Sequence, residues 1–291
     1  MNRKARTALK WTAAFLITLS LSVFQRMTGP TYPVRGSETI GGITVSYRLL
    51  RSHETGRDLP VTLETEPQSP PVFLEYRRLN STDRWAENTT PLQEVSPGIW
   101  RGKIPAQPVA GKVKYRLFLQ SSDERLYIND GKSVVARFKG PVPGYFLIPH
   151  VLLMFLSILL TVRLGLELLS REGHYDKLVN ITLPVFFAGA GILGPIVQYH
   201  AFGDAWTGFP LGTDLTDNKA LIALFFWILA VLFKKRNRIW VVLAVVVMLL
   251  IYLVPHSVLG SELDYRTGTM KNRYTRAVHP PPAAPGPTLR A

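Results

Sequence analysis

Ala230-Val231-Leu232-Phe233-Lys234-Lys235-Arg236-Asn237-Arg238-Ile239-Trp240-Val241-Val242 decides the fold class. Two apolar runs, residues 219–233 and 239–254, are joined by a turn of five residues, four of them cationic. Such a hairpin reads as two membrane helices with their turn in the cytoplasm, where Lys and Arg collect beside spanning segments. Two further runs, residues 145–169 and 178–199, precede it. The stretch from His200 to Asn218 holds no Lys or Arg and three Asp, so it faces the other side. Arg171, His174 and Lys177 then share the cytoplasmic side by parity. Arg266, Lys271, Arg273 and Arg276 fall outside against the rule, a bias that weakens for downstream charges.

The chain begins Met1-Asn2-Arg3-Lys4-Ala5-Arg6, then Lys10, then an apolar run from Trp11 to Phe24. A signal peptide has the same charged and apolar regions, but no small-x-small cleavage site follows. We read residues 1–27 as an uncleaved signal anchor. The expected plan is therefore a four-helix transmembrane domain, residues 145–259, plus that anchor, N-terminus in and C-terminus out. Residues 260–291 read as a Pro-rich, structureless tail.

Residues 32–140 lack any long apolar run and carry seven short β-rich stretches: 43–50, 61–66, 72–79, 98–104, 112–119, 126–128 and 134–138. Val113, Tyr115, Leu117 and Leu119 alternate with Lys114, Arg116 and Phe118, as along a half-buried strand. Pro70-Pro71, Pro97-Gly98, Pro105 and Asp130-Gly131 supply the turns. The expectation is an extracytoplasmic all-β sandwich, immunoglobulin-like or fibronectin-III-like, inserted before the helices. Gly140-Pro141-Val142-Pro143-Gly144 is a short, stiff link that holds it close over the membrane.

Composition excludes several functions. The chain has 291 residues, 47% hydrophobic, and a net charge of +14 from 34 Lys+Arg against 20 Asp+Glu. Many cations flank apolar runs, which argues for lipid as the surrounding medium and against nucleic acid. With no cysteine there is no disulfide, no iron–sulfur cluster and no c-type haem. Gly189-Ala190-Gly191-Ile192-Leu193-Gly194 matches a dinucleotide pattern but sits inside an apolar helix, where small residues instead let helices approach. Arg163 and Glu167, four residues apart, share a helix face about 27 Å from Tyr145 and read as a solvated boundary pair.

The candidate site lies on the outer face. His150 opens the second helix, His200 ends the third and His256 ends the fifth, while His53, His174 and His279 belong to exposed segments or turns. Imidazole ligates haem b iron and divalent metals, so the three form a candidate cofactor or metal set. Each can equally be an interfacial anchor. The loop between them carries Asp204, Trp206, Asp214 and Asp217, and Glu262 follows the last helix. These carboxylates can orient imidazoles through the second ring nitrogen. One of Asp214, Thr216 and Asp217 should instead cap the following helix.

Gly194-Pro195-Ile196-Val197-Gln198, Trp206-Thr207-Gly208, Asp214-Leu215-Thr216-Asp217-Asn218-Lys219 and Pro255-His256-Ser257 resemble an uncharacterised family of bacterial inner-membrane proteins. That resemblance implies the architecture and no activity. A fainter likeness is to the haem-handling proteins of cytochrome c maturation. They carry a tryptophan-rich external loop flanked by haem-ligating histidines, where this loop has Trp206 alone.

No complete catalytic constellation is present, so the expected function is non-enzymatic. A partner-binding or scaffolding membrane protein comes first, with an extracytoplasmic or membrane protein as partner. A haem or metal protein comes second. A small transporter is a distant third, since few ionisable groups fall mid-membrane.

Overall fold

A computed structural model describes residues 2–122, 124–170, 175–255 and 260–270. His174, His256, His279 and the chain from residue 271 onward lie outside the described residues. The first helix, α1, spans Arg3–Thr28, and Asn2 caps it by accepting from the Ala5 N–H at 2.8 Å.

Eleven strands follow: β1 Val34–Ile40, β2 Ile43–Leu49, β3 Ser52–Glu54, β4 Leu59–Thr65, β5 Val72–Arg78, β6 Thr89–Pro91, β7 Gln93–Ser96, β8 Ile99–Ile104, β9 Lys112–Ser121, β10 Glu124–Tyr127 and β11 Val134–Lys139. Each of the seven β-rich stretches carries one of them. They form two sheets, β1-β2-β4-β8-β7 and β3-β11-β9-β5-β6, with β10 added on β9. All pairings are antiparallel except β3 with β11.

Alternation drives this arrangement. Along β4, Leu59, Val61 and Leu63 are buried while Pro60, Thr62 and Glu64 are exposed. Their partners across the core include Val72, Leu74, Leu117, Leu119 and Phe138, so the two sheets share one apolar layer. Fully burying each such side chain stabilises the fold by about 1.5–3 kcal/mol. Gly98 lies where β7 turns into β8, at φ +75°, and a Cβ there would come within 2.3 Å of the Thr65 carbonyl oxygen. No other residue suits that turn.

The helical part comprises α2 Gly144–Leu168, α3 Asp176–Phe186, a π-helical turn Phe187–Leu193, α4 Gly194–Phe202, α5 Leu215–Phe233 and α6 Ile239–Leu253. Four helices are long and apolar enough to cross a membrane: α1, α2, the continuous Asp176–Phe202 helix and α5. At 15 residues, α6 is shorter, about 22 Å at the standard rise. Trp227, Ile158, Leu164 and Met248 are buried where the helices meet, and Ala14, Ala223, Ala230 and Ala244 let their backbones approach.

Side-chain contacts define the two ends of the bundle. At one end Gln25 of α1 donates to the Tyr252 carbonyl of α6 (2.9 Å), and Lys219 of α5 donates to the Val254 carbonyl (3.1 Å). At the other end Lys10 of α1 meets Glu167 of α2, and Lys234 donates to Asn180. The β strands join the first end through the 140–144 link, and the Lys234–Arg238 turn lies at the second.

The Arg163–Glu167 pair is not solvated as expected. Arg163 Nη1 reaches Glu167 at 2.6 Å, Lys10 Nζ reaches the same oxygen at 3.0 Å, and the Trp11 ring lies 5.4 Å from the guanidinium. The first turns of α1 cover the pair and leave Arg163 only 6% exposed. Helix spacing placed the two residues together, and a distant helix buried them.

Candidate functional site

The site lies where the β strands meet the first end of the bundle. Gly140 donates its N–H to the Ala201 carbonyl at 2.9 Å, and a Cβ at Gly140 would come within 2.2 Å of the His200 carbonyl oxygen. Only glycine permits this approach of strand end to helix end. The segment after α6 ties the same junction. Its hairpin, β12 Leu263–Asp264 with β13 Thr269–Met270, lies within the stretch whose composition reads as tail. Leu263 donates to the Ala110 carbonyl at 3.1 Å, Tyr265 donates to Gln107 at 3.1 Å, and Glu262 bonds both Lys112 and Asn80.

Between these contacts sits the 203–214 loop. Asp214 is the N-cap of α5: Oδ1 accepts from the Thr216 N–H at 2.8 Å. Its Oδ2 accepts from the Ser261 N–H at 3.0 Å and the Ser261 hydroxyl at 3.3 Å. Asp217, one turn on, points back into the loop. Its Oδ2 accepts from the Thr207 N–H at 2.6 Å, the Gly208 N–H at 3.0 Å and Gln198 Nε2 at 2.9 Å. Thr207, Asp214, Asp217 and Ser261 are all buried. A carboxylate taken out of water must be hydrogen-bonded, and each of these is. The aspartates thus fasten backbone: Asp214 holds the tail and Asp217 holds the loop. Trp206 donates to the Phe209 carbonyl at 3.0 Å, which closes the loop's tip.

The two described histidines of the predicted set have different surroundings. His150 Nδ1 lies 3.0 Å from the Gly189 carbonyl oxygen. A carbonyl only accepts, so Nδ1 carries a proton and donates it, and in the neutral ring Nε2 is the nitrogen with the lone pair. Gly189 belongs to the π-helical turn, where its carbonyl also takes the Gly194 N–H five residues on. The glycine-rich motif therefore seats helix on helix: a Cβ at Gly189 would lie 3.2 Å from Leu153 Cβ. His200 stacks on Phe146, with ring centroids 5.5 Å apart. His256 lies outside the described residues. Among the described residues no group of three or more His, Asp and Glu side chains is arranged to hold a metal ion.

A cavity of about 970 Å³ opens at this junction. Asp214, Asp217, Lys219, Ser261 and His150 line part of it, and arginines of the β strands line another part. Arg137 of β11, 8% exposed, feels the negative charges of Asp214 and Glu262, which offset the burial that pulls its pKa down. No protein-family model matches the sequence, and no curated protein matches it.

Several residues here escape sequence reading. His53 reads as part of an exposed segment, yet it is half-buried, lines the cavity and has an Nε2 that is buried without a hydrogen-bond partner among the described residues. The correction has a simple cause: β3 pairs with β11 in parallel, opposite Phe138, whose ring lies 6.1 Å away. Gln198, Thr207 and Ser261 carry no local motif, because their partners lie 19, 10 and 47 residues away.

Proposed function

We propose that this chain is a multi-pass protein of the bacterial cytoplasmic membrane that works by binding, with its β sandwich held outside against the bundle to engage an extracytoplasmic or membrane protein. The sandwich itself we propose to be immunoglobulin-like. Its strand order supports that reading: β2-β4-β8-β7 and β11-β9-β5-β6 follow the sequence order A-B-E-D and G-F-C-C′ of such domains. The orientation is supported by the Lys234–Arg238 turn, which lies at the bundle end remote from the β strands.

The observation that carries the proposal is the junction. The β module is fastened to the helices at two points besides the chain link: directly through Gly140 on Ala201, and through the segment after α6, which Asp214 holds at Ser261 and which bonds Lys112 of β9 through Glu262. A module that served only as a spacer would need just the 140–144 link. Fixed seating presents its free edges at a set height and angle, which suits recognition by another membrane-bound protein. Photo-crosslinkers at Gln93 and Val95, on the exposed edge strand β7, test this in intact membranes. A discrete heavier adduct is expected, and its absence at both positions overturns the reading.

A cofactor role is the second reading, with His150 favouring it: Nδ1 donates to the Gly189 carbonyl, which makes Nε2 the ligating nitrogen of the neutral ring, and the residue lines the cavity. The full chain purified in detergent, with an absorption spectrum and metal analysis, decides between them. A stoichiometric haem or metal would favour this second role.

A further inference from the structure

The junction cavity divides by chemistry. From the β module and the end of α1 come Arg26, Arg48, Arg51, Arg57, Arg137 and Lys139. From the helices come apolar walls, among them Val151, Met154, Met248 and Ile251. With Lys219, seven cations line the cavity against three carboxylates, Glu54, Asp214 and Asp217. Two of those carboxylates are already engaged by backbone N–H groups. Both of these, like Lys219, come from the helical side, so the β module and the end of α1 present six cations against Glu54, and the His53 Nε2 is buried there without a partner among the described residues.

A cavity that is cationic at one end and apolar at the other, at the level where helices leave their apolar span, matches an anionic amphiphile. Guanidinium groups suit phosphate because each presents a planar fork of donors to two oxygens. The volume is at the upper end of small-molecule sites, enough for a head group and part of a chain. We propose that this cavity binds one anionic phospholipid, its phosphate among Arg48, Arg51 and Arg57 and its acyl chain against Val151, Met154, Met248 and Ile251. The bound lipid joins the β module to the bundle. This site is separate from a protein partner on the β7 edge, so either can fail without the other.

Native mass spectrometry of the full chain in detergent tests it with three probes: phosphatidylglycerol, phosphatidylcholine of the same chains, and inorganic phosphate. One phosphatidylglycerol per chain is expected, at least tenfold tighter than phosphatidylcholine, with inorganic phosphate failing to compete. Arg51→Gln with Arg57→Gln should weaken phosphatidylglycerol at least tenfold while leaving the melting temperature in lipid-free detergent unchanged. Val151→Trp should exclude the chain. Equal retention of both lipids, competition by inorganic phosphate at equal concentration, or indifference to the arginine pair would each overturn the assignment. The first would indicate an apolar groove and the second a simple anion site.

Discussion

Asp214 holds two chain segments 45 or more residues apart: one carboxylate oxygen caps α5 at Thr216, and the other binds the N–H and hydroxyl of Ser261. Asp214→Asn keeps the cap but turns an amide NH₂ toward the Ser261 N–H, donor against donor. The variant should therefore release the segment after α6 while α5 persists. Trypsin should then cut after Arg266 much faster than in the parent chain. Asp214→Ala loses the cap as well and should cost about 1–3 kcal/mol in detergent unfolding. Equal cleavage rates and equal melting temperatures would refute this role.

Gly140→Ala should separate the β module from the helices. The added methyl would meet the His200 carbonyl oxygen, a backbone atom that cannot rotate away. Strand and helix end must shift, and the Gly140–Ala201 hydrogen bond at 2.9 Å goes with them. Hydrogen exchange at the amide of residue 140 and at β11 should rise while exchange in the α5–α6 hairpin stays as before. An unchanged pattern would mean that the junction is looser than its geometry indicates.

Asp83 gives the sandwich a pH signature. Arg78 binds it through Nε and Nη2, both at 2.8 Å, and through its N–H at 3.1 Å, which holds the carboxyl at about 2. An aspartate in an unfolded chain titrates near about 3.9. A folded-state value below the unfolded one adds stability that is complete above the unfolded value and is lost as pH falls toward about 2. Asp83→Asn should thus lower the melting temperature at pH 6 and make little difference at pH 2. The same deficit at both pH values would assign the effect to packing.

Helix positions and most strands are legible in the sequence because they depend on local periodicity. Residues 219–233 and 239–254 are apolar runs, β4 alternates cleanly, and β9 alternates as far as Leu117. The strands that escape notice are β1, β3, β6 and β7, which form sheet edges or short flanks. Gln93–Ser96 is exposed at every position, so nothing in its pattern marks it. The site is less legible. The histidines and aspartates of the junction stand out in the sequence, but their bonding does not: Asp217 serves the amides of Thr207 and Gly208, and His150 serves a carbonyl. The cavity draws on α1, β2, β11, α2 and α6, and no window of sequence brings those together.

Sidedness is the claim on which the rest depends, and the absence of cysteine makes it measurable. Single-cysteine variants Arg57→Cys, in the β module, and Lys235→Cys, in the basic turn, can be exposed in intact bacterial spheroplasts to a membrane-impermeant maleimide. The account predicts labelling at position 57 from outside and at position 235 only after the membrane is opened. Labelling of position 235 in sealed spheroplasts, with position 57 protected, would contradict it.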